Sequence, residues 1–190
     1  MSAGGTARPV GDALAEATSR HVVLVGLPGA GKSTVGPRLA ALLGRPFHDI
    51  DGEIVRREGR SVSELFAAGG EARFRAVEAE VTLDLLAGPP SVIAAGGGWV
   101  LTDANLAAAT TAALVVHLGV TPATAAARLG GGADSRPLLA SGDLRGRLEE
   151  LELHRRERYG RADVVVDTEA LDTDGVANAI RNLIDRSADV

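Results

Sequence analysis

The sequence predicts an α/β protein built around a parallel β-sheet. Three observations carry this expectation. Short apolar runs, "HVVLVG" at 21–26, "SVIAA" at 91–95 and "AALVVHLGV" at 112–120, are continuous rather than alternating, as in strands buried on both faces. Segments of helical period separate these runs, and strands that alternate with helices form parallel sheets through right-handed crossovers. A glycine-rich loop joins the first run to the first helical segment, which is the geometry of a crossover unit.

The elements follow in order. Residues 1–20 have weak periodicity and are expected to be a flexible leader, with a single domain over 21–190. "STVGPRLAALLG" (33–44) is helical in pattern and closed by Gly44. "RPFHDID" gives a short strand ending in two aspartates, and Asp51 is positioned to cap the helix "GEIVRREG". Ser61 and Glu64 have capping-box spacing. "EARFRAVEAEVTLDLLAG" (71–88) reads as a long amphipathic helix. After the second buried strand come three glycines, then a capped helix in "LTDANLAAA". "TPATAAARL" opens with an N-cap and a proline at the first helical position. Periodicity breaks down in "GGGADSRPLLASGD" (130–143), which is expected to form a mobile lid at about 130–142. A long helix, "LRGRLEELELHRRERYG", a last strand, "ADVVVDT", and a last helix, "DGVANAIRNLIDR", complete the chain.

Composition narrows the function classes. The 190 residues carry a formal charge of -5, which argues against a nucleic-acid or anionic-membrane partner. There is no cysteine, so thiolate metal sites and disulfides are excluded. The amino-terminal stretch lacks the basic start and apolar core of a signal peptide, and no run approaches the roughly 18 apolar residues of a membrane span. A cytoplasmic, monomeric enzyme is the expectation. Of the 20 lysines and arginines, nineteen are arginine and one, Lys32, is lysine. A lone lysine among arginines asks for a chemical reason.

"GLPGAGKST" (26–34) supplies that reason. It satisfies G-x4-G-K-[ST] between a buried strand and a helix, so its backbone N–H groups can curl around phosphates at a positive helix terminus. Gly29, Ala30, Gly31, Lys32, Ser33 and Thr34 are therefore candidate nucleotide ligands. Lys32 offers a compact charge that a planar guanidinium cannot replace, and the Ser33 hydroxyl can ligate Mg²⁺. No guanine-specific motif is visible, so ATP is the expected nucleotide. Asp49 and Asp51, two apart at a strand end, could divide two tasks of phosphoryl transfer, supporting the metal and orienting the acceptor hydroxyl. Arg75 and Glu78 share one helical face. Gly96, Gly97 and Gly98 follow the second buried strand, where missing Cβ atoms let a backbone come close to something. Trp99, directly after them, is read as core packing or as a wall of the pocket they would border.

Taken in order, the phosphate loop, "FHDID", "EARFRAVE", "AAGGGWV", "SRPLL" and "RRERY" resemble the motif set of the shikimate kinase family over about residues 21–169. The resemblance implies the nucleoside-monophosphate-kinase fold, a five-stranded parallel sheet of order 2-3-1-4-5 flanked by helices, with a mobile lid. It implies phosphorylation of the 3-hydroxyl of shikimate by ATP, with Mg²⁺, in aromatic amino-acid biosynthesis. By resemblance, Asp51 orients the attacking hydroxyl, Asp49 supports the metal and Ser33 binds it. Arg75 and Arg155 grip the acceptor carboxylate, Gly96, Gly97 and Gly98 let main-chain N–H groups approach the acceptor ring, Arg136 of the lid swings over the phosphates, and Arg128 contacts the adenine. Rival readings are a gluconate- or nucleotide-kinase-like enzyme of the same fold, and a nucleotide-binding regulator without catalysis. Gluconate-side or nucleotide-side motifs are not evident, and the base and lid arginine that a non-catalytic regulator would lack are present.

Overall fold

His21–Val25 form β1, the middle strand of the sheet. The structure is a computed structural model and describes residues 19–130 and 143–188. Residues 1–18 of the expected leader and the expected lid from 131 onward, Arg136 included, lie outside the described residues; Arg20, the last leader residue, is buried and donates to Thr110 O at 2.6 Å.

A glycine loop leads from β1 into helix α1 (Lys32–Leu43), which ends where predicted, with Gly44 left-handed at φ 63°. Strand β2 (Phe47–Asp49) runs directly into α2 (Ile50–Glu58). Helix α3 (Val62–Leu86) starts at the predicted capping box: Ser61 Oγ accepts from Glu64 N, and Glu64 Oε2 accepts from Ser61 N at 2.7 Å. The long amphipathic helix expected from residue 71 is joined to this earlier segment across a break at Gly70, whose φ of 68° and ψ of -176° are open to glycine and strained for other residues. Strand β3 (Val92–Ala94) leads to the glycine triplet and a 3₁₀ turn (Trp99–Leu101). Then follow α4 (Asp103–Ala112), β4 (Ala113–Gly119), α5 (Pro122–Leu129), α6 (Leu144–Tyr159), β5 (Val164–Asp167) and α7 (Thr173–Ala188).

The five strands are all parallel, in the order β2-β3-β1-β4-β5 that the family resemblance implied. Val23 of β1 sits opposite Ile93 of β3 and Val115 of β4. The period of two along β1 explains why its run is apolar throughout. Val22 and Leu24 enter a core shared with Leu39 of α1 and with Ile180 and Ile184 of α7. Val23 and Val25 enter a second core on the opposite face, with Ile50 and Ile54 of α2, Phe74 and Val81 of α3, and Trp99.

At the amino-terminal edge of the sheet, buried His21 pins β1 to β3. Its Nδ1 lies 2.9 Å from Ser91 Oγ and accepts from Ser91 N. At the carboxyl edge, the β1–α1 loop, the end of β2 and the glycine triplet gather on one side, as expected for a ligand crevice in a parallel sheet. Among the described residues, no helix is long and apolar enough to cross a membrane.

Candidate active site

The loop between β1 and α1 owes its shape to glycine. Gly26, Gly29 and Gly31 hold φ values of 146°, 84° and 96°, which L side chains rarely adopt. Gly29 has a second constraint: a Cβ there would stand 2.6 Å from Ala125 O on α5. The loop leads straight into the start of α1 at Lys32, where the helix dipole is positive. Lys32 Nζ donates to Gly26 O at 2.8 Å and to Leu27 O at 3.0 Å, so the ammonium lies across its own loop. Gly29, Ala30, Gly31, Lys32, Ser33 and Thr34 all line one cleft of about 490 Å³, which also reaches Asp49, Asp51, Gly96 and Gly97. The two glycine loops therefore border a common space, and Pro28 of the first stands 3.4 Å from where a Gly97 Cβ would be.

The two aspartates have different partners. The structure corrects the expectation for the helix cap: Asp49, not Asp51, is the N-cap of α2, with Oδ1 accepting from Gly52 N at 3.3 Å. The strand ends at Asp49, whose extended backbone is the conformation a cap requires. Asp51 is already inside the first turn. The other Asp49 oxygen accepts from Ser33 Oγ at 2.6 Å, bringing together the two oxygens expected to serve a metal. Asp51 points the other way, toward the second glycine loop, where its Oδ1 would be 2.9 Å from a Cβ on Gly96.

The glycine triplet is the floor of a charged corner. A Cβ on Gly96 would also be 2.9 Å from Glu78 Oε1, and one on Gly97 would be 3.2 Å from Arg155 Nη1. A Cβ on Gly98 would overlap the Arg75 guanidinium outright. None of the three has a left-handed φ. They are glycine for space, and that space is filled by side chains from α2, α3 and α6. Arg155 is buried and donates to Gly97 O at 2.8 Å, whereas Arg156 lies on the surface and bonds Glu152. Arg75 donates from Nη1 to Glu78 Oε2 at 2.8 Å and from Nη2 to Glu71 Oε1 at 3.1 Å. It is only 15% exposed, so the pair is not the solvated surface bridge that i, i+3 spacing alone would suggest.

Glu78 itself is fully buried, and its Oε1 has no hydrogen-bond partner among the described residues. Burial pushes its carboxyl up from the ordinary value; Arg75 opposes this, the charge of Asp51 adds to it, and Arg155 also opposes it. Two guanidinium groups over an open main-chain floor, with a carboxylate at the rim, can hold a small carboxylic acid and accept from its hydroxyl.

At the far end of the cleft, Arg128 donates from Nη2 to Thr168 O at 2.6 Å and from Nη1 to Thr168 Oγ1 at 2.9 Å. Leu129, Thr168, Leu171 and Val176 complete this wall with Asp172. The Asp172 carboxylate accepts from Gly175 N at 2.7 Å as α7 begins.

Comparison with known proteins settles the family. The shikimate kinase family model matches residues 28–185. The chain belongs to the shikimate kinase family. It is 46% identical over 143 residues to the shikimate kinase of Symbiobacterium thermophilum, covering 75% of this chain and 82% of that protein. To the shikimate kinase of Caulobacter vibrioides it is 42% identical over 159 residues, covering 84% and 79%. The structure of the Acinetobacter baumannii shikimate kinase in complex with shikimate superposes with a TM-score of 0.85 at 33% identity, covering 90% of this chain and 96% of that one. The activity is that of a shikimate kinase, transfer of a phosphoryl group from ATP to the 3-hydroxyl of shikimate.

Within this shikimate kinase fold, some residues at the cleft and beside the glycine triplet escaped the sequence reading. Thr168, Leu171 and Val176 carry no motif, and they reach the cleft only because β5 and α7 meet beside α5. His117 left a signal as the one polar residue in an apolar strand. Its ring stacks on Tyr159 at 4.6 Å and 9°, and Tyr159 OH donates to Gly97 O at 3.3 Å. Trp99 belongs to the core: it is fully buried.

Proposed function

We propose that this chain divides phosphoryl transfer between its two glycine loops. The first, with Gly29, Ala30, Gly31, Lys32, Ser33 and Thr34, holds the ATP phosphates, and Lys32 neutralises charge on the β- and γ-groups. The second, with Gly96, Gly97 and Gly98, holds the shikimate ring. Arg75 and Arg155 clamp its carboxylate, and Asp51 accepts from the 3-hydroxyl and orients it toward the γ-phosphorus. Arg128 flanks the adenine, and Arg136, outside the described residues, covers the phosphates. The single observation that carries this reading is the meeting of Asp51, Arg75 and Arg155 at Gly96, Gly97 and Gly98, where Asp51, Gly96 and Gly97 line the same cleft as the phosphate loop.

The residues present fit Mg²⁺. Ser33 Oγ and Asp49 Oδ2 are 2.6 Å apart beside the phosphate loop. Mg²⁺ takes one or two protein oxygens together with substrate phosphates, and this pair offers two such oxygens. When bound, Mg²⁺ would neutralise charge developing on the transferring phosphoryl group. Ser33 and Asp49 would hold it, Asp49 at the second remove, through water. The chain is further read as a monomer working in the cytoplasm.

The experiment is a coupled assay of ADP release over a panel of hydroxy acids, nucleoside monophosphates and gluconate. ADP release should depend on shikimate and on added Mg²⁺. Turnover of gluconate or a nucleoside monophosphate in place of shikimate would sink the reading.

A further inference from the structure

Trp99 is the only tryptophan of the chain and follows the glycine triplet directly. Nothing in the transfer chemistry asks for an indole there. Its side chain is wholly buried, and its Nε1 donates to Thr82 Oγ1 at 2.9 Å. The Thr82 hydroxyl, also buried, in turn donates to Glu78 O at 2.7 Å, one helical turn back along α3. The Glu78 carboxylate receives Arg75 Nη1 at 2.8 Å. The Arg75 guanidinium occupies the space that a Cβ on Gly98 would take, and Gly98 is bonded to Trp99.

These contacts close a ring: Gly98, Trp99, Thr82, Glu78, Arg75 and back to Gly98. The Thr82 hydroxyl uses its proton on Glu78 O and a lone pair on the indole, so its orientation is set from both sides. A buried indole N–H has no water to turn to. Sliding the glycine loop along α3 would strand the buried indole N–H, while the Thr82 hydroxyl stays bonded to Glu78 O within α3, so the indole has one register against the helix. Asn105 Nδ2, donating to Trp99 O at 3.2 Å, ties the same residue to α4.

We propose that Trp99 and Thr82 are positioning residues for the acceptor. They fix the glycine loop against α3 at the spacing where the Arg75 guanidinium lies across Gly98, and so set acceptor affinity without touching either substrate. The proposal rests on the reading of Arg75 as part of the carboxylate clamp. A tryptophan that merely fills the core would govern stability and leave the kinetics alone.

The test uses the full chain and five variants. Thr82→Val keeps the volume of the side chain and removes the acceptor; Trp99→Phe keeps the apolar ring and removes the donor. Each should raise the shikimate KM roughly fivefold, the effect of one buried hydrogen bond, with the ATP KM unchanged. Thr82→Ser should restore the wild-type KM. The double variant should be no worse than the worse single one, because both remove one interaction. Should Thr82→Val fail to fold, Trp99→Phe still decides the matter. Lowered melting temperatures with a wild-type shikimate KM in both single variants would reduce the ring to packing. Arg75→Ala separates this from the clamp reading. A large rise in its shikimate KM beside an unchanged KM in Thr82→Val and Trp99→Phe overturns the positioning role alone. No rise in Arg75→Ala overturns the clamp and the positioning role together.

Discussion

At the scale of the residue, position relative to the three glycines decides what each charged group can do. Asp49 spends one oxygen on the α2 cap and the other on Ser33. Asp51, two residues on, faces Gly96. Replacing Asp51 by Asn keeps the shape and removes the charge proposed to orient the acceptor hydroxyl. Turnover should fall by about 10²- to 10⁴-fold, the usual contribution of a positioned proton acceptor, while ATP binding followed by calorimetry is preserved. Near-normal turnover would refute the role. Gly98 gives a complementary prediction. An added methyl would overlap the Arg75 guanidinium, which is itself held by Glu78 and Glu71. Gly98→Ala should therefore raise the shikimate KM about tenfold or more and leave the ATP KM near wild type, because the methyl displaces one acceptor-side group only. Equal rises in both constants would show a general collapse of the cleft.

At the scale of the element, the pin between β1 and β3 makes a pH prediction. His21 Nδ1 accepts from Ser91 N, so the ring must be neutral there. Burial holds its pKa below the ordinary value of 6.5, backbone carbonyls of Gly88 and Leu86 oppose this, and Arg45 and His48 add to the lowering. His117 is depressed as well, by burial first and then by Lys32, with Glu152 opposing. For a group whose folded pKa is depressed, the stabilisation is complete above the unfolded value and is lost as pH falls through the folded one. Urea unfolding should therefore give a smaller free energy at about pH 5.5 than at about pH 7.5, and His21→Gln should shrink that difference. An unchanged pH difference in the variant would exclude His21 as a source. Helix ends show the same interplay of local and distant causes. The capping box at Ser61 and the Gly44 terminus formed as read, because each depends on neighbours in the chain.

At the scale of the whole molecule, groups proposed to hold ATP and shikimate come from one chain: the β1–α1 loop, the ends of β2 and β3, and helices α3 and α6. The most exposed large apolar residues among those described, Leu83, Leu153 and Val165, lie on three different elements, α3, α6 and β5. Single exposed apolar residues do not by themselves make an interface. Light scattering after gel filtration should accordingly report a single species near 19.4 kDa, at concentrations where the enzyme is active. A stable dimer mass would overturn the monomer reading.

The sequence by itself determined what depends on contiguous residues. Continuous apolar runs marked the inner strands, because a strand covered on both faces must be apolar at both phases of its pleat. G-x4-G-K-S marked the phosphate loop, because its glycine torsions and its lysine are local requirements. The tertiary structure alone decided whatever depends on distant residues sharing a space. Spacing left Arg75 and Glu78 open to a surface reading, and packing buried them at the glycine triplet. Nothing local distinguished Asp49 from Asp51 as the cap; the end of β2 did. The triplet itself was legible as a place of close approach. That its missing Cβ atoms make room for Asp51, Glu78, Arg155 and Arg75 required three helices to converge on it, which periodicity along the chain does not encode.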